Sequence, residues 1–224
     1  MPKYLWQTWG MALTTVHLMR HGEVFNPNKI LYGRLPGYHL SELGHEMARR
    51  VSVHLKEQGN DIALIVASPL IRAQETAAPS AKAFGLDIQT DERIIESVNY
   101  FEGKTFGVGD GSLRHPTHWP RLINPFRPSW GEPYKEQAAR MHAAVYAARE
   151  QAQGREALLV SHQLPVWIAR QAFEGKKLWH DPRNRECNLA SLTSLSFDGD
   201  RLVGVKYSEP VADLYPTASK VAGA

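Results

Sequence analysis

Arg20-His21-Gly22 sets a permanently charged guanidinium beside an imidazole, a residue pair that transfer of a phosphoryl group to a side chain can use. The guanidinium is a planar fork that matches phosphate oxygens, and a neutral imidazole offers a ring nitrogen as nucleophile. Gly22 leaves the turn without a side chain, so backbone can approach a bound oxyanion closely. Further along, Arg72 lies in the stretch Ser68 to Thr76, and a second histidine, His162, closes Val160-Ser161-His162. Two guanidinium groups and two imidazoles converging on one crevice would make an anion pocket with a nucleophile inside it.

Each of these groups stands just past a segment that reads as a strand. Leu13 to Met19, Ile62 to Ala67 and Ala157 to Val160 are short apolar runs rich in branched side chains and bounded by polar residues. The candidate groups therefore fall at the carboxyl ends of strands, where open α/β sheets place their ligand sites. Between the strands the pattern turns helical. Ser41 can cap a helix to about Gln58, with Leu43, Met47, Val51 and Leu55 four apart on one face. Helices are also predicted from Leu70 to Phe84, ended by Gly85, and from about Lys135 to Gln153. Pro165 suits the first turn of a further helix to about Phe173, and Ser191 to Phe197 with Leu202 to Tyr207 reads as a hairpin. This order predicts an α/β three-layer sandwich: a mostly parallel central sheet with an antiparallel edge, and helices on both faces. One domain is expected over 13–208, with an N-terminal extension at 1–12 and a tail at 209–224 that is poorly ordered or hugs the surface. Met11 is an alternative start to Met1.

Composition narrows the class of function. The 224 residues are 43% hydrophobic and 22% charged, ordinary usage for a globular enzyme able to bury a sizeable core. A net charge of +3 without a basic run favours anionic small molecules over nucleic acid. One cysteine, Cys187, excludes an internal disulfide framework and suits a reducing cytoplasm, where it is expected as a small packed residue. No apolar run approaches the ~20 residues of a membrane span.

Four stretches, Leu18 to Glu23, Ser68 to Thr76, Glu96 to Gly103 and Val160 to His162, resemble in kind and order the histidine phosphatase superfamily. Its relevant branch includes cofactor-dependent phosphoglycerate mutases and many small-molecule phosphatases. The resemblance implies a phosphohistidine at His21, with Arg20, Arg72 and a protonated His162 around the transferring oxygens. It implies a proton donor at Glu96. The spacing from there to Glu102-Gly103 is one residue shorter than the family's, so Glu102 stands as the second choice of acid. No metal or cofactor is called for, since the cationic side chains do the electrostatic work. Two departures are informative. Gln163 stands where many members have glycine and brings an amide to the floor of the phosphate pocket. Pro27 stands where many have asparagine, which passes a phosphate contact to Asn26, with an Asn-Pro turn as the plainer reading.

The implied activity is a phosphomonoesterase for a small phosphorylated metabolite, its partner being that phosphate ester and neither nucleic acid nor membrane, with homodimerisation open. The alternatives are mutase-like phosphoryl transfer and a non-catalytic module that holds phosphorylated ligands. A lid-like insertion at about 104–134, aromatic and proline-rich, is expected over the pocket. Its Arg114, Arg121 and Arg127 can meet further negative charge or, each taken singly, face water. Tyr32 and Arg34 can line the same mouth. His115 and His118 have ligand-like spacing but no accompanying carboxylates or thiols. Gly103-Lys104-Thr105 lacks the earlier glycine of a P-loop. His17 is expected as a packed residue, and His39, His45, His54, His142 and His180 as surface or core filling.

Overall fold

The computed structural model describes residues 13–105, 131–181 and 184–218. Within them, β1 (Thr14–Arg20), β2 (Ile62–Ala67), β3 (Ile88–Thr90) and β4 (Glu156–Ser161) run parallel, and β5 (Leu192–Asp198) and β6 (Arg201–Ser208) are antiparallel. The sheet order is β3-β2-β4-β1-β5-β6. A mostly parallel sheet with an antiparallel edge is the architecture the sequence predicts.

Alternation along β1 explains the layers. Val16 and Leu18 face one side, where they join Leu64, Val66, Leu159 and Phe197 beneath α3 (Tyr134–Ala152) and α4 (Gln163–Phe173). Met19 faces the other, with Ile65, Leu158 and Val160 beneath α1 (Glu42–Glu57) and α2 (Ile71–Phe84). A sheet covered on both faces must be apolar on both, which is why its central strands read as continuous hydrophobic runs. The Ser41 hydroxyl accepts the Gly44 N–H and caps α1, and Gly85 ends α2 in the left-handed region at φ 68°.

Three features add to the sequence reading. β3 is a strand the pattern does not reveal: three residues at the sheet edge, largely exposed, with no apolar alternation. The start of the tail is packed, because Val211 is fully buried against the α1–α2 face and the Tyr215 hydroxyl donates to the Leu189 carbonyl at 3.0 Å. Gly22 has a structural reason beyond any oxyanion. A Cβ there would lie 2.6 Å from the Gly44 carbonyl oxygen, so the loop after β1 lies against the first turn of α1, backbone to backbone. The extension at 1–12, most of the insertion at 104–134, and with it Arg114, His115, His118, Arg121 and Arg127, lie outside the described residues.

Candidate active site

Three adjacent strands in the order β2-β4-β1 end at the same edge of the sheet, and each delivers a polar group there. β1 ends in Arg20, and His21 continues its ladder by donating its N–H to the Ser161 carbonyl at 3.0 Å. β4 ends in Ser161, and His162 is the residue from which α4 starts. β2 ends at Ala67, after which Ser68 donates its N–H to the Val160 carbonyl at 3.0 Å and its hydroxyl meets His162 Nε2 at 2.7 Å. Arg72 stands in the first turn of α2. Parallel neighbours thus bring together side chains up to 142 positions apart in the chain.

His21 and His162 are fully buried, with ring centroids 5.2 Å apart. His21 Nδ1–H donates to its neighbour's carbonyl, Gly22 O, at 2.7 Å, which fixes the tautomer and leaves the Nε2 lone pair as the reactive one. Arg20 Nη1 donates to the Cys187 carbonyl at 2.8 Å. Arg72 Nη2 donates to the Gly33 carbonyl at 2.5 Å, and its guanidinium lies 4.7 Å over the Tyr32 ring. Both cations are therefore held from behind, so their aim is set before any ligand arrives.

Glu96 follows the short 3-10 turn Glu92–Ile94 and is 3% exposed. Its Oε1 accepts the Ser97 N–H at 2.8 Å, and its backbone carbonyl accepts Arg34 Nε at 2.6 Å. Ser161 Oγ donates to the Ile94 carbonyl at 2.7 Å and ties this loop to the end of β4. Glu102 is differently placed. Its Oε1 accepts the N–H groups of Arg34 and Asn99 at 3.1 and 3.2 Å, a carboxylate that organises two loops.

At the site, His21 Nε2, Arg72 Nε, Glu96 Oε2 and His162 Nδ1 belong to the buried polar atoms that have no hydrogen-bond partner among the described residues. Leaving a buried polar group unsatisfied costs roughly 1–3 kcal/mol each. Four from the site residues mark it as built for a polar guest rather than for stability.

The electrostatics agree. Burial, then Arg72 and Arg20, hold the His21 imidazole well below its ordinary range, so it is a neutral base. The same causes, burial first and Arg72 next, press His162 down. In the site without a ligand, desolvation and the surrounding positive charge oppose a second cation, so the protonated His162 expected from sequence needs the negative charge of a bound phosphoryl group. Glu96 is pushed up by burial, against the pull of the Ser97 N–H, Arg72, Arg185 and Arg140. A carboxyl shifted towards its protonated form is suited to giving a proton away.

The remaining sequence candidates sort as follows. Asn26 uses both ends of its amide on Ile30, accepting its N–H at 3.0 Å and donating to its carbonyl at 2.8 Å. A phosphate contact from Asn26 would have to displace one of these turn bonds. Gln163 opens α4 with Nε2 at 3.4 Å from the Cys187 carbonyl and Oε1 at 3.4 Å from Arg185 Nη1. Cys187 is packed, its thiol pushed up to about 11 by burial. His17 is packed as expected, between Ser194 Oγ at 2.8 Å and Glu156 Oε2 at 3.2 Å. Among the described residues no cluster of three metal-ligating side chains occurs, and no helix is long and apolar enough to cross a membrane. Sequence reasoning misses Ser68 and Arg185 as site residues. Ser68 sits in a recognised stretch, but only the fold turns it towards His162.

Three buried ionisable groups set a pH dependence of stability. Both histidines have folded values below the ordinary 6.5, so under that pH the unfolded chain takes up protons that the folded one refuses. Each therefore lowers stability as the pH falls below that value. Glu96 acts oppositely above its ordinary value, because there the folded form binds the extra proton. With two groups lowering stability and one opposing them, stability falls between pH 6.5 and 5. Urea midpoints across this range are expected to decline with falling pH, more steeply in Glu96→Gln and less in His21→Ala; a midpoint rising towards pH 5 would contradict the assignment.

Comparison with known proteins places the chain. A sequence profile described as histidine phosphatase superfamily (branch 1) matches residues 16–210. Rv0525, an uncharacterised protein of Mycobacterium tuberculosis (strain ATCC 25618 / H37Rv), is 57% identical over 199 residues, covering 89% of this chain and 98% of the relative. A probable phosphoglycerate mutase, GpmB of Escherichia fergusonii, is 32% identical over 180 residues, covering 78% and 81%. Among solved structures, mycobacterial glucosyl-3-phosphoglycerate phosphatase Rv2419c complexed with VO3 superposes with a TM-score of 0.68 at 26% identity, covering 86% of this chain and 97% of the other.

Proposed function

Because the chain belongs to the histidine phosphatase superfamily (branch 1), whose members are phosphatases and mutases, we propose that it is a metal-independent phosphomonoesterase for a small phosphorylated metabolite. The observation that carries this reading is the buried Nε2 of His21, unpartnered among the described residues and ringed by Arg20, Arg72 and His162. His21 attacks phosphorus in line, and the leaving alcohol departs with the proton of Glu96 on the opposite side. Phosphorus bonds to Nε2 as the ester P–O bond breaks. Water then cleaves the P–N bond, with Glu96, now a carboxylate, accepting its proton, and His21 is returned neutral. Arg20 and Arg72 stabilise charge spread over the equatorial oxygens, where most of the barrier is lowered. A bound phosphoryl group supplies the negative charge that allows His162 to take up a proton through Nδ1.

The likeness to Rv2419c, a glucosyl-3-phosphoglycerate phosphatase complexed with VO3, supports hydrolysis. The likeness to GpmB favours a second reading, transfer between two hydroxyls of one substrate. Incubation with 3-phosphoglycerate followed by phosphorus NMR separates them. Release of inorganic phosphate without 2-phosphoglycerate is the expected result, while accumulation of 2-phosphoglycerate ahead of phosphate overturns it. A panel of phosphorylated metabolites, ranked by kcat/KM, then finds the substrate.

A further inference from the structure

We infer that Arg185, gripped by His180 and Gln163 beside the phosphate pocket, forms a second anion subsite, so that the substrate carries a carboxylate or second phosphate on its alcohol portion. This rests on the phosphatase reading and narrows its substrate class. Contacts place the residue. The Cys187 carbonyl accepts from Arg20 at 2.8 Å and from Gln163 Nε2 at 3.4 Å. The other end of the same Gln163 amide accepts from Arg185 Nη1 at 3.4 Å. The Cys187 carbonyl and the Gln163 amide therefore link Arg20, at the phosphate pocket, to a further guanidinium.

Arg185 is aimed rather than loose. Its Nε donates at 2.8 Å to Nε2 of His180, whose Nδ1–H donates to the Leu178 carbonyl at 2.7 Å and so leaves Nε2 as an acceptor. The His180 ring is braced by Tyr134 and Trp167, with centroids 5.5 and 5.6 Å away. The histidine expected as filling is a positioning residue.

Both of these acceptors are uncharged, and among the described residues Arg185 forms no ion pair. A guanidinium has five N–H donors and does not give up its charge, so Arg185 keeps donors for a further acceptor. Burial opposes its charge, and Arg20 repels it. The acid whose field reaches it within the site is Glu96, itself held towards the neutral form. A cation placed at such cost beside a phosphate pocket is matched by a planar carboxylate or a phosphate, either of which can accept two parallel N–H bonds. Gln163 thereby gains a reason to stand where glycine is common: it joins the two cationic centres.

The test uses three esters on one two-carbon frame: 2-phosphoglycolate, ethylene glycol bisphosphate and the neutral methyl ester of phosphoglycolate. The intact enzyme is expected to prefer at least one anionic ester over the methyl ester by ten-fold or more in kcat/KM, mainly through KM. Which anion is preferred identifies the group. Arg185→Gln is expected to bring that ratio near one, and Arg185→Lys to keep part of it. A variant that loses the same factor on all three esters, leaving the ratio intact, shows a structural role and overturns the subsite. So does an unaltered enzyme that hydrolyses all three equally well. Hydrolysis of none of them overturns the phosphatase reading and this inference with it.

Discussion

His21→Ala lowers kcat for an aryl phosphate by on the order of 10⁴-fold or more, because it removes the atom that bonds to phosphorus and not merely a contact. The size of the effect follows from the geometry. Both arginines are held by backbone carbonyls and do not depend on His21 for their position. The variant should therefore still bind phosphate and gain thermal stability from it. That retained binding separates loss of the nucleophile from loss of the fold. Rapid quenching of the unaltered enzyme with labelled aryl phosphate should trap an acid-labile, alkali-stable phosphoprotein, which is absent from the variant. Substantial turnover in a folded His21→Ala protein would sink the mechanism.

Glu96→Gln shows the second large effect, and its signature is selectivity. A phenolate stabilised by a nitro group departs without help, so p-nitrophenyl phosphate should lose less than about ten-fold. Alkyl phosphates, whose leaving oxygen needs a proton, should lose about 10²–10⁴-fold. The same variant should flatten the alkaline limb of the pH–rate profile. Burial raises the carboxyl above its ordinary range, so this limb marks the pH at which Glu96 gives up its proton. Glu102→Gln should instead reduce stability, because its carboxylate ties the Arg34 and Asn99 N–H groups together. A leaving-group-dependent loss at Glu102 with none at Glu96 would exchange their roles.

Much of this molecule was legible in one dimension. The apolar runs of β1, β2 and β4 betray their burial on both faces, and Ser41 and Gly85 mark helix ends by local hydrogen bonding and backbone freedom. Since a parallel sheet aligns its carboxyl ends, groups that follow such strands are bound to meet. His21, Arg20, Arg72 and His162 could be named as a group before any coordinates. What stayed hidden depends on long-range packing. β3 is too short and too exposed to carry a pattern, and the buried Val211 follows Pro210 in a stretch that reads as a loose end.

Residue types and their order along the chain thus determined the fold class and the strand-end chemistry, because those follow from local periodicity and from side-chain chemistry; the two rival acids are what the family resemblance implies. Tertiary structure alone buried Glu96, turned Glu102 to tie two loops, set a ligand-free environment that opposes charge on His162, and raised Arg185 from an anonymous loop arginine to a candidate contact. Protonation depends on how much water and how many charges surround a group. That environment is assembled from segments far apart in the chain, so it exists only once they have packed.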